Sequence, residues 1–401
     1  MVNLELIGSL RQPAETTIVL LVLDGLGGLA EQPGNRTALE TARTPHLDAL
    51  AGEGICGLHE PIGPGITPGS GPAHLALFGY DPVEYQVGRG VLSALGIGFD
   101  LEHGDVAARG NFCTLDDDGL VADRRAGRIS SETGAELCEK LRAIDLPDAE
   151  LFVEPVKEHR FVLVLRGDDL HGDIEATDPQ AEGEPPIEAA ARASGSERAA
   201  DLVRRFVGEA RNMLAGEPAN GVLLRGFSRR PDWPDVRDVF GLRAAALAAY
   251  PMYRGVARLV GMDALEVDGR LPERLEVMQR NWDDYDYFFL HVKGTDSAGE
   301  DNDFDRKVHL IEEVDEHLPT LREQAPDVIL VTGDHSTPSR MEEHSWHPVP
   351  VMLWSPRCRP DRVTTFGERA CLAGALGPRL PATHLMPLAL ANAERLAKYG
   401  A

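Results

Sequence analysis

Three short apolar runs, each followed within a few residues by an aspartate, constrain the fold of this chain more than any other feature. The first run is Ile18–Leu23 and precedes Asp24; the other two precede Asp296 and the pair Asp334-His335. Runs of isoleucine, valine and leucine of this length are typical of strands buried on both faces of a parallel sheet. Because open α/β sheets bind ligands at the carboxyl ends of their strands, we expect these four polar side chains to meet at one edge.

Helical segments alternate with the strands. Residues 44–54 follow the first strand, and their order of Thr44, Pro45 and a final glycine is typical of a helix start and stop. An amphipathic segment at 305–321 separates the second and third strands. The alternation predicts an α/β fold, with a mostly parallel sheet flanked by helices.

The middle of the chain has a different pattern. Between about Asp105 and Phe240, short strand-like segments mix with helices and with an acidic loop rich in proline and glycine at 175–197. We interpret residues 105–240 as an inserted α+β domain. Residues 1–104 and 241–401 would then form one discontinuous domain around it.

The composition excludes several classes of protein. The formal net charge of −25 over 401 residues disfavours nucleic acid and anionic membranes as partners. No apolar run reaches the roughly 18 residues of a membrane span. The five cysteines are scattered without a CxxC pair and no secretory signal is visible, so we expect a reducing, cytoplasmic location. The oligomeric state stays open.

Three carboxylates and a histidine at one sheet edge would repel one another unless cations lay between them. A pair of divalent metal ions is the natural partner, and two ions about 4 Å apart are typical of phosphoryl transfer. Glu300, four residues after Asp296, and His344 add two further candidate ligands.

Ser70 stands between two glycines in the stretch GITPGSGPAH, just before a predicted helix at 73–78. One interpretation is a turn serine that caps the helix. The other is a nucleophile, because a hydroxyl beside a divalent metal loses its proton more easily and a helix N-terminus offers N–H groups to a phosphate. The metal ligands expected elsewhere favour a serine that accepts a phosphoryl group and passes it on.

Motifs in the same order along nearly the whole chain include VLDGLGG, GITPGSGPAHLALFGYDP, ARGNFCTL, HVKGTDSAGEDNDF, VTGDHSTP and HSWHPVP. They resemble the archaeal-type 2,3-bisphosphoglycerate-independent phosphoglycerate mutases of the alkaline phosphatase superfamily. The resemblance implies an alkaline-phosphatase-like fold and a phosphoserine mechanism of glycolysis and gluconeogenesis. Ser70 would take the phosphate of 3-phosphoglycerate and return it to the other hydroxyl of the bound glycerate, without 2,3-bisphosphoglycerate.

The resemblance also implies how the ligands divide between two metal ions. One ion would be bound by Asp24, Ser70, Asp334 and His335, and the other by Asp296, Glu300 and His344. Family members usually have histidine at the position of Glu300. The extra oxygen ligand favours a hard cation, so manganese is the expected metal, with magnesium and zinc as alternatives.

The inserted domain resembles the family's substrate-binding domain. A small acid that carries a carboxylate and a phosphate is best bound by guanidinium groups. The residues expected to bind it are Arg109, Asn111, Asp123, Arg124, Arg128 and His159, with Arg254 and Lys293 from outside the insert. We expect about half of the arginines to pair with carboxylates instead.

Other functions remain open from the sequence. A related phosphatase would use the same serine and metals but transfer the phosphate to water. A small-molecule kinase of the homoserine type would need a nucleotide site, and the chain has no GxxxxGK[ST] loop. A binding protein without catalysis would be expected to lack Ser70 or several ligands, and all of them are present.

Overall fold

A computed structural model describes residues 3–31, 34–267 and 269–400. Its strands are β1 Ile18–Leu23, β2 Ile55–Glu60, β3 Val106–Leu115, β4 Val121–Asp123, β5 Glu150–Lys157, β6 Arg160–Arg166, β7 Gly221–Arg229, β8 Ala244–Leu247, β9 Asp263–Ala264, β10 Tyr287–Val292, β11 Val328–Thr332, β12 Val349–Trp354 and β13 Gly377–Pro381. Its α-helices are α1 Leu4–Leu10, α2 Ala38–Thr41, α3 Pro45–Glu53, α4 Ser70–Leu77, α5 Arg89–Gly96, α6 Ser131–Leu141, α7 Glu197–Met213, α8 Val236–Phe240, α9 Pro251–Leu259, α10 Leu271–Arg280, α11 Gly294–Glu300, α12 Phe304–Glu323, α13 Glu368–Cys371 and α14 Leu385–Asn392.

The first compact unit runs to Gln86 and resumes at Trp233, and it is built on a sheet with the order β13-β2-β12-β11-β1-β10-β8-β9. β1 lies between β10 and β11 and is parallel to both. β12 runs antiparallel to both of its neighbours, while the other pairings are parallel. The predicted α/β fold with a mostly parallel sheet is confirmed.

All six residues of β1 are apolar, which suits a strand in the middle of this sheet. All six are buried there. Val19, Leu21 and Leu23 belong to the core on one face of the sheet. Helix α12 packs there with Ile311 and Leu318, in agreement with the amphipathic pattern predicted at 305–321. The sheet therefore holds the carboxyl ends of β1, β10 and β11 side by side.

The second unit, Val87–Asp232, is an antiparallel sheet with the order β4-β3-β6-β5, and β7 also pairs with β3. One face carries apolar side chains such as Phe112 and Phe161, which pack with Leu137 of α6 and Phe206 of α7. The other face carries polar side chains that are described with the site.

Both boundaries of this unit fall earlier in the chain than the predicted residues 105 and 240. Helix α5 packs against β3 and β7 so closely that a Cβ on Gly90 would lie 2.2 Å from the carbonyl oxygen of Ala107. At the other end, α8 packs against α1 and so belongs to the first unit. The change of pattern along the sequence does not show which sheet each of these helices packs on.

None of the helices in the described residues is both long enough and apolar enough to cross a bilayer.

Candidate active site

The carboxyl ends of three neighbouring strands bring three aspartates together in the first unit. Asp24 directly follows β1, Asp296 lies in the first turn of α11 after β10, and Asp334 follows β11. All three are completely buried. A buried carboxylate requires a cation or hydrogen-bond donors close by, so the surroundings of these groups decide what the site can do.

Asp24, Asp334 and His335 form a first group of metal donors, with one atom of each within 4.8 Å of the others. His335 Nε2 lies 3.4 Å from Asp24 Oδ1 and 3.1 Å from Asp334 Oδ2. These two carboxylate oxygens are buried and have no hydrogen-bond partner among the described residues. Buried oxygens without donors, facing an imidazole nitrogen, fit a divalent cation.

Asp296, His335 and His344 form a second group on the same criterion. Asp296 Oδ1 lies 4.0 Å from His335 Nδ1 and 3.7 Å from His344 Nε2. The two imidazole rings stack with their centres 3.6 Å apart. His335 therefore lies in both groups, whereas the family resemblance implies that it binds one metal only.

Hydrogen bonds to the outer nitrogens fix the orientation of both imidazoles. His344 Nδ1 lies 2.9 Å from the carbonyl oxygen of Pro68, an acceptor, so this nitrogen carries the proton and Nε2 faces Asp296. Thr337 Oγ1 lies 3.0 Å from His335 Nδ1 and donates a hydrogen bond to Asp296 Oδ1 at 2.7 Å. Such partners orient metal-binding histidines in proteins generally.

Protonation links these groups in the metal-free protein. Burial opposes protonation of His335, but Asp334 and Asp24 raise its pKa to about 9. Burial likewise acts to raise the pKa of Asp334, yet His335 and His74 lower it well below the ordinary range. Without metal, protonated His335 supplies positive charge beside Asp24 and Asp334, and Lys293 supplies it beside Asp24 and Asp296. A divalent cation that took the place of the His335 proton would release that proton.

Ser70 is the first residue of α4, and its Oγ lies 3.2 Å from His335 Nε2. The residue at the N-cap position is Gly69, and no side-chain capping bond is present at this helix end. The alternative that Ser70 caps the helix is therefore wrong. The hydroxyl faces the donor groups instead, at the positive end of a helix where an anion is favoured.

Three aromatic residues that the sequence did not single out as functional surround the aspartates. Tyr253 donates its hydroxyl to Asp24, and His291 Nε2 lies 3.2 Å from the same carboxylate. His74 Nδ1 lies 2.8 Å from the carbonyl oxygen of Ser70 and 3.3 Å from Asp334 Oδ2. The spacing of His74, one helical turn after Ser70, was the signal available for it. Tyr253 is buried, and its hydroxyl binds a site carboxylate.

Lys293, a predicted substrate residue, lies in the first unit beside the aspartates. Its ammonium group forms ion pairs with Asp296 and, at 3.2 Å, with Asp24. These pairs neutralise the carboxylates in this structure, and the predicted role of Lys293 in substrate binding stays a prediction. Arg254, on α9, has a buried Nε without a hydrogen-bond partner among the described residues.

The second unit places basic and amide side chains on one face of its sheet. Arg109 and Asn111 are two residues apart on β3. Arg109 lies opposite Arg225 of β7, and Asn111 lies opposite Arg160 of β6. Residues two apart, and residues directly opposite in antiparallel pairs, share a face. Burial and the guanidinium of Arg89 lower the pKa of Arg225, as expected for crowded cations. This face is suited to an anion.

The other predicted substrate residues of this unit differ in their contacts. Arg124 is paired with the buried carboxylate of Asp178 through two hydrogen bonds of 3.1 and 2.7 Å. Asp123 accepts hydrogen bonds from the backbone N–H groups of residues 125 and 127 and so shapes its own loop. His159 is buried, and burial with nearby arginines lowers its pKa to about 4, so it is neutral. Arg128 is exposed.

Comparison with known proteins identifies the family. A sequence model described as 2,3-bisphosphoglycerate-independent phosphoglycerate mutase matches residues 51–220. A probable enzyme of that name from Thermus thermophilus is 49% identical over 398 residues, 98% of each chain. Another from Deinococcus radiodurans is 50% identical over 409 residues, 99% of each chain. The chain belongs to this family.

Solved structures agree with the assignment to the 2,3-bisphosphoglycerate-independent mutases. The cofactor-independent phosphoglycerate mutase from Thermoplasma acidophilum is 29% identical, with a TM-score of 0.71 over 94% of this chain and 100% of that chain. A protein from Pyrococcus horikoshii is 31% identical, with a TM-score of 0.84 over 97% of this chain and 100% of that chain.

Glu300 is the position at which this mutase-family chain departs from the expected histidine. It ends α11, four residues after Asp296, as the spacing predicted. Its carboxylate lies 3.9 Å from His344 Nε2, and its side chain is 51% exposed. Glu300 is not a member of the second donor group, which consists of Asp296, His335 and His344. The structure thus places Glu300 at the rim of the second donor group.

Proposed function

We propose that this chain interconverts 3-phosphoglycerate and 2-phosphoglycerate through a phosphoserine at Ser70, without 2,3-bisphosphoglycerate. One observation carries the proposal: Ser70 Oγ lies 3.2 Å from His335, the residue shared by both donor groups. A nucleophile beside two sets of metal donors is the arrangement that phosphoryl transfer requires. Membership of the mutase family gives the substrate.

Two divalent ions fit the donor groups. One would be held by Asp24, Asp334 and His335 with Ser70, and the other by Asp296 and His344 with Glu300 at the rim. Manganese is proposed because carboxylates outnumber imidazoles in the set, with magnesium and zinc as alternatives. When bound, such ions lower the pKa of a coordinated hydroxyl and neutralise charge on a phosphoryl group.

The transfer needs two displacements at phosphorus. Ser70 Oγ loses its proton and forms a bond to phosphorus while the bond from phosphorus to the C3 oxygen of the substrate breaks, and the C3 oxygen takes up a proton. The C2 hydroxyl of the same glycerate then loses its proton and attacks the phosphoserine, the bond from phosphorus to Ser70 Oγ breaks, and Oγ takes up a proton to restore the serine. The N–H groups at the start of α4, whose first residue is Ser70, would stabilise the charge of the phosphate in both halves of the reaction.

We propose that the polar face of the second unit binds the acid. Arg109, Asn111, Arg160 and Arg225 share that face, and guanidinium groups match carboxylate and phosphate geometry. Arg124 is proposed to act through Asp178, which it binds, rather than on substrate directly. A cytoplasmic role in glycolysis is consistent with five free cysteines among the described residues.

The proposal is tested by a coupled assay with 3-phosphoglycerate and manganese, in which enolase reports 2-phosphoglycerate while free phosphate is measured in parallel. We expect formation of 2-phosphoglycerate without stoichiometric phosphate release. Ser70→Ala should lose several orders of magnitude in rate, roughly 10³-fold or more, because the nucleophile is absent. Ser355→Ala is the control, since it removes another buried serine hydroxyl, which donates to Asn392.

Two results would contradict the proposal. Phosphate release as the main reaction would make the protein a phosphatase. A Ser70→Ala variant with near wild-type turnover would remove the phosphoserine from the mechanism.

A further inference from the structure

Lys307 is a lysine in the interior of the first unit, with 1% of its surface exposed. It lies near the start of α12, on the same helix face as Ile311, Val314 and Leu318, which are core residues. Lysines are almost never fully buried unless they are paired. The sequence therefore has a charged residue at a position where the helix pattern demands an apolar one.

The ammonium group of Lys307 binds backbone carbonyls from two different loops. It donates to Gly25 O at 2.7 Å and Gly27 O at 3.2 Å in the loop after β1, and to Thr337 O at 2.8 Å in the loop after β11. An ammonium has three N–H donors, so these three bonds use all of them. Lys307 thus joins the two loops at one point.

These loops carry the first donor group. Gly25 directly follows Asp24, and its N–H donates to Asp334 Oδ1 at 3.0 Å. Thr337 is two residues after His335 and is hydrogen-bonded to that imidazole. A movement of either carbonyl away from Lys307 would therefore change the positions of Asp24 and His335.

The loops leave little room for another arrangement. The N–H of Thr337 donates to Gly27 O at 3.0 Å, so one carbonyl serves both that bond and Lys307. A Cβ on Gly27 would lie 1.9 Å from Ser336 Oγ, and a Cβ on Gly299 would lie 2.4 Å from Thr337 O. Buried carbonyls in such close packing cost free energy when they lose a donor and water cannot replace it.

We infer that Lys307 is a positioning residue of the metal site, which holds the loops of Asp24 and His335 at the spacing that a divalent ion requires before the ion arrives. The inference rests on the proposed function, because it presumes that those residues bind metal. Among the described residues, the ammonium of Lys307 donates to these backbone carbonyls and not to the metal donors. Its effect is expected on metal affinity rather than on the chemical step.

The test measures binding of manganese alone by calorimetric titration in wild type and in Lys307→Met, which keeps the length of the side chain but removes its donors. We expect manganese affinity to fall about 10- to 100-fold, as for other residues that orient metal ligands. At saturating manganese, kcat should return to within about threefold of wild type, because the reacting groups are unchanged. Lys307→Arg keeps the hydrogen-bond donors and the charge, so its manganese affinity should fall less than that of Lys307→Met.

Arg395→Met is the matched control. Arg395 is also buried and also donates to a backbone carbonyl, that of Thr16, at the opposite end of β1 from Asp24. We expect it to lower thermal stability without changing manganese affinity. Hydrogen exchange of metal-free protein should be faster at 333–337 in Lys307→Met, and manganese should slow it again; Arg395→Met should not show this.

The outcomes separate the two proposals. A wild-type protein that binds no manganese, magnesium or zinc overturns the proposed function together with this inference. Wild-type binding with unchanged affinity in Lys307→Met, or an equal loss in Arg395→Met, overturns the inference and leaves the function. If Lys307→Met does not fold, Lys307→Leu is measured instead, because it also removes the ammonium donors, and the same criteria apply.

Discussion

At the scale of single residues, His335 connects the parts of the site. Its Nε2 faces Asp24, Asp334 and Ser70, while its Nδ1 is tied to Thr337. One imidazole therefore lies between a nucleophile and two buried carboxylates. The hydrogen bond between Thr337 and His335 Nδ1 holds the ring in this orientation. A rotated ring would change the contacts of Nε2 with Asp24, Asp334 and Ser70 together.

Glu300 gives the first prediction at this scale. Glu300→Ala should weaken manganese binding about tenfold, because a carboxylate at the rim of the second donor group attracts a hard cation. Glu300→His should shift the preference toward zinc and retain activity. The measurement is metal affinity by competition titration. The control is Asp301→Ala, which removes the neighbouring exposed carboxylate, a partner of Arg306.

Equal effects of Glu300→Ala and Asp301→Ala would contradict a ligand role for Glu300. They would show that its charge acts only through the general acidity of the segment.

Part of the candidate site could be predicted from sequence because several of its donors follow the ends of strands. Asp24 and Asp334 follow runs that only a buried strand explains. Tyr253 and Lys307 were not predicted, since a tyrosine or lysine on an amphipathic helix gives no sign of what it meets across the core. The contact of Lys293 with two aspartates depends on the parallel pairing of β1 and β10, which periodicity does not show.

At the scale of elements, the loop after β1 is held from two sides. Lys307 binds its carbonyls, and Glu368, the first residue of α13, accepts hydrogen bonds from the N–H of Gly28 at 3.0 Å and the hydroxyl of Thr37 at 2.6 Å. Thr37 is also the N-cap of α2. A short helix far along the chain thereby fixes the start of a helix near its beginning.

Glu368 makes the stability of the protein depend on pH. Burial raises its pKa to about 7 from an ordinary value of 4.5, although its hydrogen bonds act in the opposite direction. Because the folded pKa is the higher one, its contribution to stability is complete below about pH 4.5 and is lost as the pH rises through about 7. Glu368→Gln keeps the shape and an acceptor, so its free energy of unfolding should not show this loss.

The measurement is urea unfolding of both proteins with a chelator present, at steps between pH 4.5 and 7.5. The two curves should diverge by up to about 3 kcal/mol across that range. Parallel curves would show that the carboxyl is not held in its protonated form.

At the scale of the whole molecule, the metal donors and the cluster of arginines belong to different units. The described metal donors all belong to the first unit, and the shared face of arginines belongs to the second. The chain has a net charge of −25, yet each of these two sites has local positive charge or requires it. The metal donors of the first unit need bound cations, and the face of the second unit brings several arginines together. The division into two units was predictable from the change of pattern. The boundaries were not, because α5 could pack on either sheet until its close contact with Ala107 was known.

Metal should stabilise the first unit because its three central carboxylates are completely buried. An ion that binds only the folded state adds about 2.7 kcal/mol at a hundredfold excess over its Kd. We therefore expect manganese to raise the thermal unfolding temperature on the order of 5 °C and a chelator to reverse the change. Asp334→Asn, which removes one donor of the first group, should show a smaller rise in unfolding temperature with manganese.

Hydrogen exchange should locate the added protection at 24–28, 294–300 and 333–337 rather than along the strands of the second unit. A stabilisation that survives unchanged in Asp334→Asn, or protection confined to residues 87–232, would place the metal elsewhere.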